Sequence, residues 1–221
     1  LERGIGRYWY PHVTATVILA VDRSRTDAAV TGWNSLRESP VPVGISSSSV
    51  IRNMLALGAL SYGLDREAPS KRDALELLEH LGQNGNFRLE APDTPILICL
   101  DCEAAAWNRN GGNYEIIVPA EGTLSCRMGL LSDVPLTLEP GLDETLLSAG
   151  LPLADGERPA DFPSDYRSAH TLSEEDYGWF LELTGDSSRD LRRQVLHIRR
   201  YTTADLREHI LSALLIVAAI L

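Results

Sequence analysis

The stretch "GGNYEIIVPAEGTLS", residues 111–125, decides how the chain is read. An apolar strand pattern, "YEIIVP", runs straight into a proline, an acid and a glycine. Pro119 fixes one backbone angle, and Gly122 permits angles closed to other residues. A strand that leaves one α/β lobe for another needs such a rigid exit followed by a flexible joint. Pro119, Gly122 and Thr123 are therefore read as a hinge, with Glu121 where a cleft between lobes would lie. A plain strand-to-turn transition produces the same pattern, and these residues alone leave both readings open.

Upstream, apolar runs alternate with helical periodicity. "VTATVILAV", residues 13–21, is β-branched and apolar, which predicts a buried strand. "TGWNSLRE", residues 31–38, predicts a short helix with Trp33 and Leu36 inward. "VPVGIS", residues 41–46, predicts a strand running into "SSSVIRNMLALGALSYG", a helix capped by serines and stopped at Gly63. Ser70 and Asp73 open a second helix in which Leu75, Leu78 and Leu81 repeat at spacing three, up to Gly82. "TPILICL" reads as a strand, and "DCEAAAWNRNGG" as a short helix with a glycine stop. Strands built as continuous apolar runs and separated by helices argue for an α/β sheet with helices on its faces. Beyond Pro119 the pattern changes to a helix over 142–150, the proline-rich loop "LPLADGERPADFPSDY", and helices near 176–183, 190–196 and from Thr202.

The 221 residues suffice for one large or two small domains. Hydrophobic content of 44% and charged content of 23% are globular. A net charge of −11 repels phosphate backbones, which excludes nucleic acid as a partner. The basic group Arg192, Arg193, Arg199 and Arg200 is too small to reverse that field and reads as a solvated helix face. "CLDC" has C-x-x-C spacing, but a zinc site needs four ligands and no second pair supplies them. Cys99 and Cys102 read as small half-buried residues at a strand end. A Cys102–Cys126 disulfide belongs only to an oxidising compartment. Sequence signatures of nucleophile elbows, zincins, P-loops and dinucleotide-binding turns are missing, and the five histidines pair with no obvious nucleophile, so no enzyme and no cofactor are expected.

"WNSL" after an apolar strand, "VPVGIS-SSS" opening a helix, and "NYEIIVPAEGT" together resemble the type II, two-lobed solute-binding proteins of ABC importers, including iron, polyamine and thiamine binders. The likeness covers roughly residues 13–131. It implies a bilobal α/β fold with helices on mixed sheets. Residues 1–20 would be the end of lobe 1 and the first hinge strand. Residues 21–118 would form lobe 2, and 119–206 the second crossing with C-terminal helices packed back on lobe 1. Little precedes the first crossing, so lobe 1 is expected to be truncated at its N-terminus and the chain to be a fragment. The apolar run "ILSALLIVAAIL", residues 210–221, with 207–209 before it, reads either as the start of a transmembrane helix or as a buried core helix. The first reading implies an extracytoplasmic domain anchored in the membrane.

Such proteins do no chemistry; they close two lobes on a solute. Ser46, Ser47, Ser48 and Ser49 offer hydroxyls and a helix N-terminus suited to an anion, although an N-cap needs only one of them. Asp101 and Glu121 would instead favour a cationic solute. Tyr10, with Tyr8 and Trp9, either stacks on a ligand or fills the lobe interface. The expected partners are a small-molecule or ion solute and a membrane permease, or a membrane signalling module in place of the permease.

Overall fold

The computed structural model describes residues 2–4, 7–46, 49–89, 93–135, 137 and 140–185. Its organising element is β2 (Arg7–Asp22), sixteen residues long. β1 (Glu2–Gly4) pairs with its start. β2 is long because its β-branched, alternating residues serve two opposite faces. Ala15, Val17, Leu19 and Val21 join one buried cluster, and Ile18 and Ala20 join the other.

The C-terminal half of β2 lies in a mixed sheet with β3 (Val43–Ile45), β4 (Phe87–Leu89), β5 (Ile96–Leu100) and β6 (Tyr114–Ile117). β4, β3 and β5 are parallel to one another, while β5 and β6 run antiparallel to β2. Its N-terminal half lies in a second sheet with β7 (Thr123–Ser132), antiparallel, and with β8 (Ala169–Thr171), which is parallel to β7.

Helices α1 (Val50–Leu64), α2 (Lys71–Gln83) and α5 (Tyr177–Thr184) cover one face. The other carries α3 (Asp101–Arg109), and α4 (Leu142–Ser148) lies between β7 and β8 in the chain. In α2 the apolar stripe Ala74, Leu75, Leu77, Leu78 and Leu81 is buried, and the Ser70 side chain accepts from the Asp73 N–H, as the capping pattern requires. Gly58 of α1 lets the Phe180 ring of α5 and Leu124 of β7 pack against the helix backbone.

Three local expectations change. The helix expected over 31–38 contracts to a 3-10 turn, Asn34–Leu36. Gly63 is not a stop but a buried residue of the last turn of α1, small because the Trp33 indole occupies the place of its side chain. β7 appears at the start of the expected second crossing, where the residues themselves showed only a change of pattern. Leu124, Cys126, Met128 and Leu130 share one of its faces, and exposure rises along them from 0% at Leu124 to 50% at Leu130. The helices expected after 185 and the apolar run 210–221 lie outside the described residues. Among the described residues no helix is long and apolar enough to cross a membrane.

Candidate functional site at the crossover

Two segments pass from one sheet to the other side by side. On β2, Thr16 pairs with Ser125 of β7, and Leu19 pairs with Ile117 of β6. Residues 17 and 18 therefore stand opposite residues 118–124. Seven residues face two, so five are extruded from the ladder. The extruded turn contains Pro119, Glu121 and Gly122.

That turn is heavily tied. The Gly122 N–H donates to the Pro119 carbonyl at 3.2 Å, with Gly122 at φ +141°, a region that favours glycine. The Glu121 carboxylate accepts from the Trp33 N–H at 3.2 Å and the Asn34 N–H at 2.9 Å, so it caps the 3-10 turn. The Ala120 N–H donates to the Thr31 carbonyl, and Arg66, just past α1, donates to the Ala120 and Glu121 carbonyls. The Trp33 indole Nε1 reaches the Gly122 carbonyl. Gly32 and Gly63 leave room for the Glu121 carboxylate and the Trp33 ring respectively. Thr123, fully buried, donates its hydroxyl at 2.6 Å to the Val17 carbonyl, which the interrupted ladder leaves without a β7 partner.

On the other side of β2, β5 ends where Leu100 pairs with Val17 and the chain turns into α3. The Asp101 carboxylate takes the place of the next strand residue. Its Oδ1 accepts from the Thr16 N–H at 3.0 Å and from its neighbour Cys102 N–H at 2.8 Å. Across β2 the Thr16 and Ser125 hydroxyls are 2.8 Å apart. Asp101 is 0% exposed, and its Oδ2 has no hydrogen-bond partner. Two side chains of the segment after α4 face it, Arg158 and Tyr166. The Arg158 guanidinium lies 3.9 Å above the Tyr166 ring, and both Arg158 Nε and Tyr166 Oη are buried without a hydrogen bond. Burial drives the Asp101 pKa up to about 6, against the pull of the Thr16 and Cys102 N–H groups and the Arg158 charge.

A small cleft opens at the C-terminal ends of β3 and β5, walled by Ser46, Arg52, Ala56, Leu100 and Glu103. Arg52, in the first turn of α1, pairs with Glu103 of α3 at 2.6 Å, and the other Glu103 oxygen accepts from the Leu100 N–H. Ser49 is the exposed N-cap of α1 and makes no side-chain capping bond; Ser47 and Ser48 lie outside the described residues. Of the residues marked in the sequence, Ser46 and Asp101 thus share the end of the β3–β5 layer. Glu121, Pro119 and Gly122 sit on the turn against Trp33, and Glu121 shares no partner with Asp101. Tyr10 is buried on β2, paired with Leu130 of β7, away from that cleft. Sequence reading missed Arg52, Glu103, Arg158 and Tyr166. Arg52 carried a signal, a cation in the first turn of a helix, where a negative group is the usual choice.

All three cysteines are free, and burial pushes each thiol up, Cys102 to about 12 and Cys126 to about 11. Among the described residues no group of three His, Cys, Asp or Glu side chains gathers to hold a metal ion.

No family model and no curated protein matches the chain. Solved structures do. The periplasmic binding protein AfuA from Actinobacillus pleuropneumoniae, with fructose-6-phosphate bound, is similar at a TM-score of 0.55 and 15% identity, over 88% of this chain and 70% of that one. An ABC transporter protein from Clostridium perfringens gives 0.55 and 10%, over 85% and 69%. The sulfate-binding protein SubI from Mycobacterium tuberculosis gives 0.51 and 16%, over 78% and 69%. The two sheets joined by paired crossing strands are thus the bilobal α/β fold of the type II periplasmic solute-binding proteins of ABC transporters.

Proposed function

We propose that this chain is an extracytoplasmic solute-binding domain that captures a small solute between two lobes and presents it to an ABC-type import permease. The observation that carries the reading is the double crossover: β2 and β6–β7 each leave one sheet and enter the other, side by side. Paired crossings of this kind let two lobes change angle while each keeps its own ladder. The fold shared with periplasmic binding proteins supports the same reading.

Within it, the solute site lies at the ends of β3 and β5, with Ser46, Ser49 and Arg52. In open α/β sheets ligands settle outside the carboxyl ends of the strands. Arg52 and the amino end of α1 favour an oxyanion. The carboxylates that would attract a cation are already engaged, Glu103 by Arg52 and the Leu100 N–H, Glu121 by the Trp33 and Asn34 N–H groups, and Asp101 in the core. AfuA and SubI, whose ligands are a sugar phosphate and sulfate, are in keeping with that preference.

Native mass spectrometry tests the proposal. The protein is presented with sulfate, phosphate, sugar phosphates, amino acids and polyamines. Retention of an oxyanion, weakened about tenfold or more in Arg52→Gln, is expected for a charged hydrogen-bonding contact. A bare polypeptide mass across the whole panel would remove the binding function. Retention of a polyamine instead would keep the function and overturn the oxyanion preference.

A further inference from the structure

Residues 150–168 contain no helix and one isolated bridge, yet they touch both sheets in turn. They begin against α3, where the Arg109 guanidinium lies over Gly150 in place of any side chain. Leu153 then bridges Val13 in the N-terminal half of β2, reinforced by Thr14 N–H to Pro152 and Ala154 N–H to His12. That is the β7 sheet. The chain next crosses to the opposite sheet. There Phe162, 8% exposed, enters the cluster of Ile18, Ala20, Leu97, Ala104 and Ile116. Arg158 and Tyr166 close on Asp101 at the junction, and the segment returns to the β7 sheet where the Ser168 carbonyl accepts from the Thr123 N–H.

We infer that residues 150–168 are a strap that fastens the two sheets at a set angle, with Phe162 as its anchor in the β5–β6 sheet and Arg158 and Tyr166 on Asp101 as its buckle. A loop with no structural duty would run over the surface and keep its large side chains out of a core. This one places an aromatic plug in one sheet's core and a backbone bridge on the other sheet. Its buckle is buried: the Arg158 guanidinium stacks on the Tyr166 ring beside Asp101, which is fully enclosed. The strap is thus a further contact between the sheets, made by backbone bonds on the β7 side and by the Phe162 side chain on the other. It does not depend on which solute is bound, or on whether one is.

Hydrogen exchange and spin labelling test it in the full chain. In the unaltered protein the Leu153, Ala154 and Phe162 amides, each hydrogen-bonded, should be protected well above the unfolded rate. Unprotected amides there would overturn the proposal without any mutant. Phe162→Ala should speed their exchange about tenfold or more and leave the β2–β5 ladder amides unchanged. Spin labels on Arg88→Cys of β4 and Leu130→Cys of β7 should give a narrow distance distribution that broadens in the same background. An unsubstituted control accounts for the native thiols. Should Phe162→Ala fail to fold, Asp101→Asn replaces it. Asn keeps the acceptor for Thr16 and Cys102 and sets an amide against Arg158. Strap and ladder amides accelerating together, or an unchanged distance width after the strap amides are freed, would mean that the segment packs on the sheets without setting their angle.

Discussion

The indole Nε1 of Trp33 donates to the carbonyl oxygen of Gly122 at 2.6 Å, joining the segment after β2 to the turn between β6 and β7. Both partners are buried, and the bond lies at the point where both crossing strands change sheet. Trp33→Phe keeps most of the apolar area and leaves that carbonyl without its donor. A loss of about 1–3 kcal/mol is expected, read as a lower urea midpoint at unchanged slope. An unchanged midpoint would show that the turn is held by its other ties.

Glu121→Ala removes the acceptor for two backbone N–H groups at the start of the 3-10 turn. A cost of about 1–2 kcal/mol is expected, with Glu121→Gln costing less because its amide oxygen still accepts. Thermal melts of the two variants side by side give the comparison. If Glu121 serves the turn alone, solute affinity in both variants should match the parent protein at temperatures well below the melt.

Gly122→Val meets two obstacles: φ is +141°, and a Cβ would sit 2.7 Å from Arg66 Nε. A β-branched residue there should cost about 1–3 kcal/mol. If the turn is also the joint between lobes, solute affinity should fall further than stability explains, which titration calorimetry on folded protein would detect. Equal affinity would leave the turn a fixed fastening.

Asp101 sets a pH dependence opposite to that of most carboxylates. Its pKa rises from 3.8 in the unfolded chain to about 6 in the fold. The folded state therefore holds the proton more tightly, so the linked stability is full below pH 4 and is lost as pH climbs through 6. The change amounts to about 3 kcal/mol at most. Asp101→Asn should flatten stability between pH 4 and 6, which denaturation at several pH values would reveal. A slope that persists in the variant would assign it to another group.

Asp176 behaves in the usual sense. Burial alone would raise it, but hydrogen bonds from the Ser173 N–H and hydroxyl, from Trp179 Nε1 and from His170 outweigh that and hold it at about 2. Its contribution is full above pH 4 and disappears as pH falls towards 2. Since these bonds fasten the start of α5, and His170 stacks on Tyr62 of α1, Asp176→Asn should loosen α5 first. Faster amide exchange over 177–184 than over α1 would be the sign.

The buried strands were the most readable part of the sequence, because "VILAV" and "ILICL" have one composition that suits only a strand covered on both faces. β7 was equally written, with Leu124, Cys126, Met128 and Leu130 alternating with Thr123, Ser125 and Arg127, but its small polar residues hid the period. β4 and β8, three residues each, carry too little pattern to be read at all. The turn at 119–122 was visible as a special place. Its attachments were not, since Trp33 and Arg66 come from 89 and 55 residues away. Gly63 was misread for the same reason: a glycine near a helix end looks like punctuation, and only the fold shows the indole that occupies its side-chain space. Arg158 and Tyr166 lie in a proline-rich loop, and nothing local distinguishes a loop that closes on a buried acid from one that faces water.

Because β2 gives one half of its length to each sheet, neither sheet has a complete set of strands of its own. Its partners lie far along the chain: Val17 waits for Leu100, and Thr16 for Ser125. Formation of either sheet fixes the backbone that the other needs, which lowers the entropy cost of the second. The two halves are therefore expected to melt in one transition, and to be assembled slowly, since the shared strand is made early and its last partner more than a hundred residues later.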